Sequence, residues 1–185
     1  IGPNYWLGEA GRNGLIDGSE KYNEGAFLAA FEALERWIPY LPNGYQANTY
    51  PDSQNLFTLG LAAVYPAGSW DIGFFNSQVD FEMGAFPPPP PAGSEDCYIS
   101  DHTDIAMGLN SASPNQEAGL VFLEWMASQE FAELYTNQLP GFFTLSDHEI
   151  AVEDPLAAEF LSWRGECGST IRTAYQILSR GEPNN

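Results

Sequence analysis

Residues 65–71 read Tyr-Pro-Ala-Gly-Ser-Trp-Asp, and their types suggest ligand binding. Gly68 has no Cβ and lets the backbone turn sharply or approach a ligand closely. Trp70 offers a large flat apolar face with one polar N–H at its edge, and Asp71 offers a fixed hydrogen-bond acceptor. A flat face beside a carboxylate matches a sugar, which has an apolar C–H face and a rim of hydroxyls. An equally simple interpretation is a strand end, where Trp70 packs in the core and Asp71 caps the next turn.

Further aromatic and polar side chains could serve the same purpose. The aromatic residues in Gly- or Pro-rich segments, where helix packing does not explain them, are Trp6, Trp70, Tyr98, Phe142 and Phe143. The polar side chains at predicted strand ends, where a rigid scaffold positions loop groups, are Asp71, Asp101, His102 and Asp104. By contrast, Trp37, Trp125 and Trp163 lie among apolar neighbours on predicted helices and are expected in the core.

Sequence patterns that would indicate an enzyme or a metal site are absent. The two histidines, His102 and His148, have no second histidine at helical ligand spacing, and there is no G-x-S-x-G elbow, P-loop or G-x-G-x-x-G motif. Asp17 begins a segment that resembles a calcium loop, but Tyr22 stands where that loop needs glycine. Any two carboxylates could form a glycosidase pair, although sequence spacing does not set their separation. We therefore expect no catalytic residue, no metal ligand and no cofactor.

Charge is the compositional outlier. The 185 residues include 25 Asp and Glu against 6 Lys and Arg, for a formal net charge of -19. Such a field repels nucleic acid and disfavours an anionic ligand, so a neutral ligand is expected. The chain begins with Ile1 and no apolar signal-like stretch, which predicts a processed chain or a fragment. Cys97 and Cys167 match no metal or redox spacing, so a disulfide and two free thiols both stay open.

Helical and extended patterns alternate along the chain and predict an α/β class. Helices are predicted at 24–38, at 52–59 with a cap at Asp52 or Ser53, from Ser113, Ser128 and Asp154, and from Ser169 to Arg180. Strands are predicted at 61–67, 79–86 and 104–109, and the opening residues 1–18 are predicted as loop and short strand. The five prolines at 87–91 predict a stiff polyproline II connector.

Three segments, together with Gly68-Ser69-Trp70, carry a family resemblance: DIAMGLNSASPNQEA at 104–118, FLEWMASQE at 122–130 and LPGFF at 139–143. They resemble the solute-binding proteins of ABC-type sugar importers, the maltose-binding-protein-like extracellular solute-binding family. The resemblance runs in the same order along the chain and covers the C-terminal half to two-thirds of such proteins.

The resemblance implies a periplasmic-binding-protein-like lobe of type II, with a short mixed sheet flanked by helices and much of the N-terminal lobe missing. Residues 1–98 and 141–185 would then belong to the C-terminal lobe. Residues 99–140 would form a crossover strand and helices that belong largely to the other lobe. The protein would be periplasmic or extracellular, with a lipid anchor as a further expectation for the full-length protein.

The same resemblance implies a function: capture of a neutral mono- or oligosaccharide in an inter-lobe cleft, with no covalent chemistry. Its partners would be that sugar and the membrane permease of an ABC importer, with no nucleic acid, and the protein would act as a monomer. The implied ligand-binding residues are Trp6, Trp70, Asp71, Asp101, His102, Asp104, Gly141, Phe142 and Phe143. Trp70 matches a sugar-stacking position, while Asp-His-Thr-Asp at 101–104 replaces glycines that the family commonly has there.

Two other functions stay open at this point. A carbohydrate-active enzyme, or its substrate-binding module, would use two of the carboxylates. Alternatively, the aromatic residues could be ordinary core residues of a protein without such a ligand.

Overall fold

The structure, a computed structural model, describes residues 1–101, 105–144 and 147–171. Its α-helices are α1 (Gly2–Tyr5), α2 (Glu9–Asp17), α3 (Gly25–Glu35), α4 (Tyr50–Thr58), α5 (Ile72–Gln78), α6 (Gln116–Met126), α7 (Gln129–Gln138) and α8 (Pro155–Glu166). Its strands are β1 (Tyr98–Ser100) and β2 (Gly168–Thr170), and 3-10 turns lie at Ile38–Tyr40, Tyr45–Ala47 and Ser69–Asp71. The predicted α/β class is confirmed.

The chain divides into two compact units. The first unit comprises Ile1–Asn48, Phe86–His102 and Ser162–Asn185, and the second comprises Thr49–Ala85 and Thr103–Leu161. Each unit therefore gathers segments that are distant in sequence.

A disulfide and a short parallel sheet hold the first unit together. Strands β1 and β2 pair in parallel, with Ile99 opposite Ser169. Cys97 and Cys167, which directly precede the two strands, form a disulfide with their Cα atoms 4.8 Å apart. This observation decides between the two alternatives that the sequence left open. The bond closes a loop of sequence separation 70 and so removes much of the freedom of the unfolded chain.

The buried side chain of Asn4 fixes the polyproline segment to β1. Its amide donates to the carbonyl oxygens of Pro88, at 3.1 Å, and Tyr98, at 3.0 Å. Its own carbonyl oxygen accepts from the backbone N–H of Tyr98 at 2.7 Å. The side-chain amide of Asn4 thus donates two hydrogen bonds and its oxygen accepts one, so this buried polar group is satisfied.

The core of the first unit forms around Phe27 of α3. Phe27 is fully buried, and Trp6 stacks on it with ring centroids 4.4 Å apart. The prediction of loop and short strand for residues 1–18 is wrong, because α1 and α2 occupy that segment. Gly11 lies inside α2, where an added Cβ would be 2.5 Å from the Cβ of Trp6. This glycine permits close packing and does not mark a loop.

In the second unit, local capping sets two of the helix starts that the sequence predicts. The Ser128 hydroxyl accepts from the backbone N–H three residues later at 3.2 Å, and the Asp154 carboxylate does the same at 2.8 Å. Both predictions are confirmed. The start predicted at Ser113 is wrong, because α6 begins at Gln116 and the Ser113 hydroxyl accepts from Asn115 instead.

The three strand predictions are wrong for the described residues. Residues 61–67, 79–86 and 105–109 form no strand, and Leu61 and Val64 are 71% and 62% exposed. An apolar run becomes a strand only where a neighbour supplies ladder hydrogen bonds, and Pro66 has no N–H to donate. Ser169 lies in β2 and does not start a helix, and the rest of that predicted helix, from 172, lies outside the described residues.

Aromatic rings form the core of the second unit. The ring centroid of Phe57 in α4 lies 4.9 Å from that of Phe75 in α5 and 6.0 Å from that of Tyr65. This contact joins α4 to α5 across the irregular segment between them. The N-terminal end of α4 is joined to the 3-10 turn before α5 by hydrogen bonds from Tyr50 and Gln54 to Asp71.

The three tryptophans expected in the core have different environments. Trp163 is 8% exposed, as predicted, and Trp125 is half-buried, with its ring 5.0 Å from that of Phe131. Trp37 is 37% exposed, so the core prediction is wrong at that position. It follows the last turn of α3 and faces solvent.

Candidate functional site

The first part of the candidate site is the N-terminal turn of α4. Thr49 caps this helix, and Asp52 hydrogen-bonds back to the Thr49 backbone N–H at 2.9 Å, which forms a capping box. The cap predicted at Asp52 or Ser53 therefore lies three or four residues too late. Because the cap makes Tyr50 the first helical residue, Tyr50 and Gln54 lie four residues apart on one face of the helix.

The second part is the 3-10 turn Ser69–Asp71. Gly68 precedes it, and a Cβ at this position would lie 2.2 Å from the indole ring of Trp70. The ring therefore lies directly against the Gly68 backbone, where no other residue leaves room for it. Trp70 is 37% exposed, whereas Asp71 is 3% exposed.

The third part is the segment after α7, which contacts the same turn. Gly141 has φ +91, and a Cβ there would be 1.7 Å from the carbonyl oxygen of Ser69. Only glycine allows both the backbone angle and this approach. Phe142 follows, half-buried, with its ring 6.2 Å from that of Tyr135. The structure thus brings the Gly-Ser-Trp-Asp and Pro-Gly-Phe-Phe segments together.

A chain of hydrogen bonds links the helix to the turn. The indole N–H of Trp70 donates to the Tyr50 hydroxyl oxygen at 3.0 Å, and the Tyr50 hydroxyl donates to Asp71 Oδ2 at 2.6 Å. The Gln54 amide donates to the other carboxylate oxygen, Oδ1, at 2.9 Å. Asp71 stands at the N-cap position of α5 but makes no side-chain cap hydrogen bond, so its carboxylate serves the network and not the helix.

The environment keeps the Tyr50 hydroxyl protonated. Desolvation raises the pKa of this hydroxyl well above its usual value of 10.0, and the hydrogen bond to the neighbouring Asp71 carboxylate raises it further. Loss of the proton would place two negative oxygens 2.6 Å apart. Tyr50 therefore donates to Asp71 throughout the physiological pH range.

The structure places the predicted ligand residues in different units. Of the residues predicted from the sequence, the second unit holds Trp70, Asp71, Gly141, Phe142 and Phe143, whereas Trp6 and Asp101 lie in the first unit. His102 and Asp104 lie outside the described residues.

Trp6 and Asp101 each have a clear partner within the first unit. The Trp6 ring stacks on Phe27 at an interplanar angle of 13°, and its Nε1 is buried with no hydrogen-bond partner among the described residues. The Asp101 carboxylate accepts two hydrogen bonds from Arg164, at 2.6 and 2.8 Å. A role for either residue in ligand binding stays a prediction.

Tyr50 and Gln54 belong to the site but do not appear among the residues predicted from the sequence. The signal that could have found them is the Thr49-x-x-Asp52 capping box, which fixes the first helical residue and so the shared face. Nothing in the sequence connects that face with Asp71, which lies 21 residues beyond Tyr50.

Among the described residues, no group of three His, Cys, Asp or Glu side chains is arranged to hold a metal ion. The carboxylate at the centre of the site already accepts from two side chains. The arrangement therefore offers an aromatic surface and ordered hydrogen-bonding groups.

Comparison with known proteins supplies the family. The family model described as bacterial extracellular solute-binding protein matches residues 1–133, which is more than half of the chain. The chain belongs to this family. Searches of curated proteins and of solved structures found no match. The resemblance inferred from the sequence is therefore confirmed at the level of the family.

Membership of this family indicates the function in general terms. Its members are generally non-enzymatic proteins that bind a solute and work with the permease of an ABC importer. The predicted location, periplasmic or extracellular, is confirmed by the family. In the ranges that the structure describes, every helix is too short or too polar to cross a membrane.

Proposed function

We propose that this solute-binding protein captures a neutral mono- or oligosaccharide for an ABC-type importer. The observation that supports this most strongly is Trp70, a partly exposed indole on a turn that is fixed from three directions. Gly68 lies against its ring, Tyr50 holds its N–H, and Gly141 contacts the preceding Ser69 carbonyl oxygen. A rigid flat apolar surface with polar atoms at its edge matches the C–H face and hydroxyl rim of a sugar.

Charge favours a neutral sugar over an anionic one. The chain carries a formal net charge of -19, and the buried carboxylate of Asp71 lies in the same network as Trp70. The Asp71 carboxylate accepts from Tyr50 and Gln54, so the network beside Trp70 presents no positive charge that an anionic sugar would need.

The segment after α7 would extend the binding surface. Gly141 contacts Ser69 directly, and the half-buried Phe142 and Phe143 follow it in the chain. We propose that these rings contribute apolar area for further sugar units. Binding by Trp6, Asp101, His102 and Asp104 belongs to the same proposal.

The finer architecture is part of the proposal as well. It comprises a type II lobe, monomeric action and the absence of covalent chemistry. It also assigns residues 1–98 and 141–185 to one lobe and 99–140 largely to the other. These statements rest on the family resemblance.

Isothermal titration of the 185-residue chain against neutral sugars tests the proposed function. The panel comprises mono-, di- and trisaccharides of glucose, galactose, xylose and arabinose, and a parallel assay measures released product. We expect binding without turnover. The resemblance implies that the sugar binds between two lobes, so the titration uses sugar concentrations high enough to detect weak binding. Product release would indicate a carbohydrate-active enzyme, and the absence of even weak binding to every sugar would refute the proposal.

Two tryptophan variants make the test specific to the site. Trp70→Ala should weaken sugar binding by about 1–3 kcal/mol, as loss of a central aromatic contact does. Trp37→Ala is the matched control, because Trp37 has the same 37% exposure and lies in the first unit. An equal loss of sugar affinity in the two variants would show that Trp70 does not bind the sugar.

A further inference from the structure

We infer that Tyr50 is a positioning residue that fixes the orientation of the Trp70 indole, an inference that rests on the sugar site proposed above. Tyr50 was not predicted from the sequence, and family membership does not assign it a role. Its hydroxyl lies between the indole N–H, at 3.0 Å, and the buried Asp71 carboxylate, at 2.6 Å. The inference gives Asp71 an indirect role, through Tyr50.

The direction of each hydrogen bond in the series Trp70–Tyr50–Asp71 follows from the chemistry of the groups. An indole N–H can only donate, and an ionised carboxylate can only accept. The single Tyr50 proton must therefore point to Asp71, and the Tyr50 oxygen must face Trp70. Donation to a carboxylate increases the negative charge on the hydroxyl oxygen, which strengthens its bond to the indole N–H.

Asp71 is a rigid support for this arrangement. Its side chain is buried, and the Gln54 amide holds its second oxygen at 2.9 Å. Tyr50 and Gln54 come from the same face of α4, so the helix presents both donors to the carboxylate as one rigid element. The carboxylate cannot turn without breaking one of two hydrogen bonds.

The indole has two fixed sides. Its ring lies against the Gly68 backbone, where an added Cβ would be 2.2 Å away, and its edge N–H is held by Tyr50. The Gly68 contact limits how closely the ring can approach the backbone. The hydrogen bond to Tyr50 fixes the rotation of the ring about the Cβ–Cγ bond. Removal of the Tyr50 hydroxyl removes the second restraint and leaves the first.

The first test uses the protein without sugar. The indole N–H resonance of Trp70 is assigned in a ¹⁵N-resolved proton spectrum by its disappearance in Trp70→Phe. In Tyr50→Phe this resonance should move upfield, and the indole N–H should exchange with solvent faster. Tyr65→Phe is the matched control, since it removes a hydroxyl that lies 3.4 Å from Ser53 and does not bond to Trp70. An unchanged Trp70 resonance in Tyr50→Phe would overturn the inference.

The second test measures affinity with the sugar of the panel that the wild-type chain binds most tightly. Tyr50→Phe should weaken this binding by roughly fivefold, the factor that corresponds to one net hydrogen bond. In a Trp70→Phe background, which keeps an aromatic ring and lacks the N–H, the same substitution should have no further effect. An equal loss in both backgrounds would mean that Tyr50 acts on the sugar directly and would overturn the positioning role.

The two tests separate failure of the inference from failure of the proposed function. If no sugar binds the wild-type chain, the proposed function fails, and the indole resonance still decides whether Tyr50 orients Trp70. If sugar binds and Tyr50→Phe changes neither the resonance nor the affinity, the proposed function stands and the inference fails. A changed resonance with unchanged affinity also overturns the inference.

Discussion

Substitution of Gly141 tests the close contact that joins two parts of the site. Gly141 has φ +91, and an added Cβ would lie 1.7 Å from the Ser69 carbonyl oxygen. The backbone angle costs a residue with a Cβ about 1–2 kcal/mol, and forced displacement of a packed backbone costs about 1–3 kcal/mol. Gly141→Ala should therefore lower the free energy of unfolding by about 2–5 kcal/mol.

Two further glycines separate these contributions. Gly60 also has a positive φ, +67, but nothing lies within 4 Å of its added Cβ, so Gly60→Ala carries only the cost of the backbone angle. Gly84 has open space around it and no positive φ, so Gly84→Ala should change stability little. The contact with Ser69 is then measured by the difference between Gly141→Ala and Gly60→Ala.

Urea denaturation followed by circular dichroism gives the three free energies, and tryptophan fluorescence reports on the neighbouring Trp70. We expect Gly141→Ala to be less stable than Gly60→Ala by about 1–3 kcal/mol and to shift the fluorescence emission. Equal destabilisation by the two variants, with unchanged emission, would show that the segment after α7 does not press on the Ser69–Asp71 turn.

Three other predictions concern the whole chain. Replacement of Cys97 and Cys167 by Ala should lower the free energy of unfolding by about 2–4 kcal/mol, because the disulfide restricts the unfolded chain; reducing agent should then affect only the wild type in thermal melts. Hydrogen bonds from Arg12, and then from Thr170 and the backbone, lower the pKa of Glu9 to about 2, so its stabilising effect should be present at neutral pH and lost as pH falls from about 4.5 towards 2. In urea titrations over pH the stability difference between wild type and Glu9→Gln should shrink in that window, and a constant difference would contradict this. Added NaCl should raise the melting temperature, because salt screens repulsion in a chain of net charge -19, and a flat response would show that the repulsion is already compensated.

Helices whose start depends on a local hydrogen bond could be predicted from the sequence. Ser128 and Asp154 each accept from a backbone N–H three residues later, and that information lies within four residues. The strand predictions failed because a strand depends on a partner that is often far away in sequence. Strands β1 and β2 pair across 70 residues, next to a disulfide that spacing alone did not establish.

The candidate site was predictable only in part for the same reason. The types of Gly68, Trp70 and Asp71 indicated a binding turn, and the structure places Gly141 against it. The Tyr50 hydroxyl joins that turn through tertiary packing of α4, which no local pattern specifies. Residues 1–18 show the opposite error, since they were predicted as loop and short strand, whereas Gly11 packs tightly against Trp6 inside a helix.

Saturation-transfer NMR on the chain with the tightest-binding sugar tests whether that sugar stacks on Trp70. Saturation of the aromatic protons should pass most strongly to the C–H protons of one sugar face and should fall sharply in Trp70→Leu, while Trp37→Leu leaves it unchanged. Such a result would place the sugar on the Trp70 face, as we propose. Transfer of equal strength in Trp70→Leu and in the wild type would contradict it, because the sugar would then bind elsewhere on the protein.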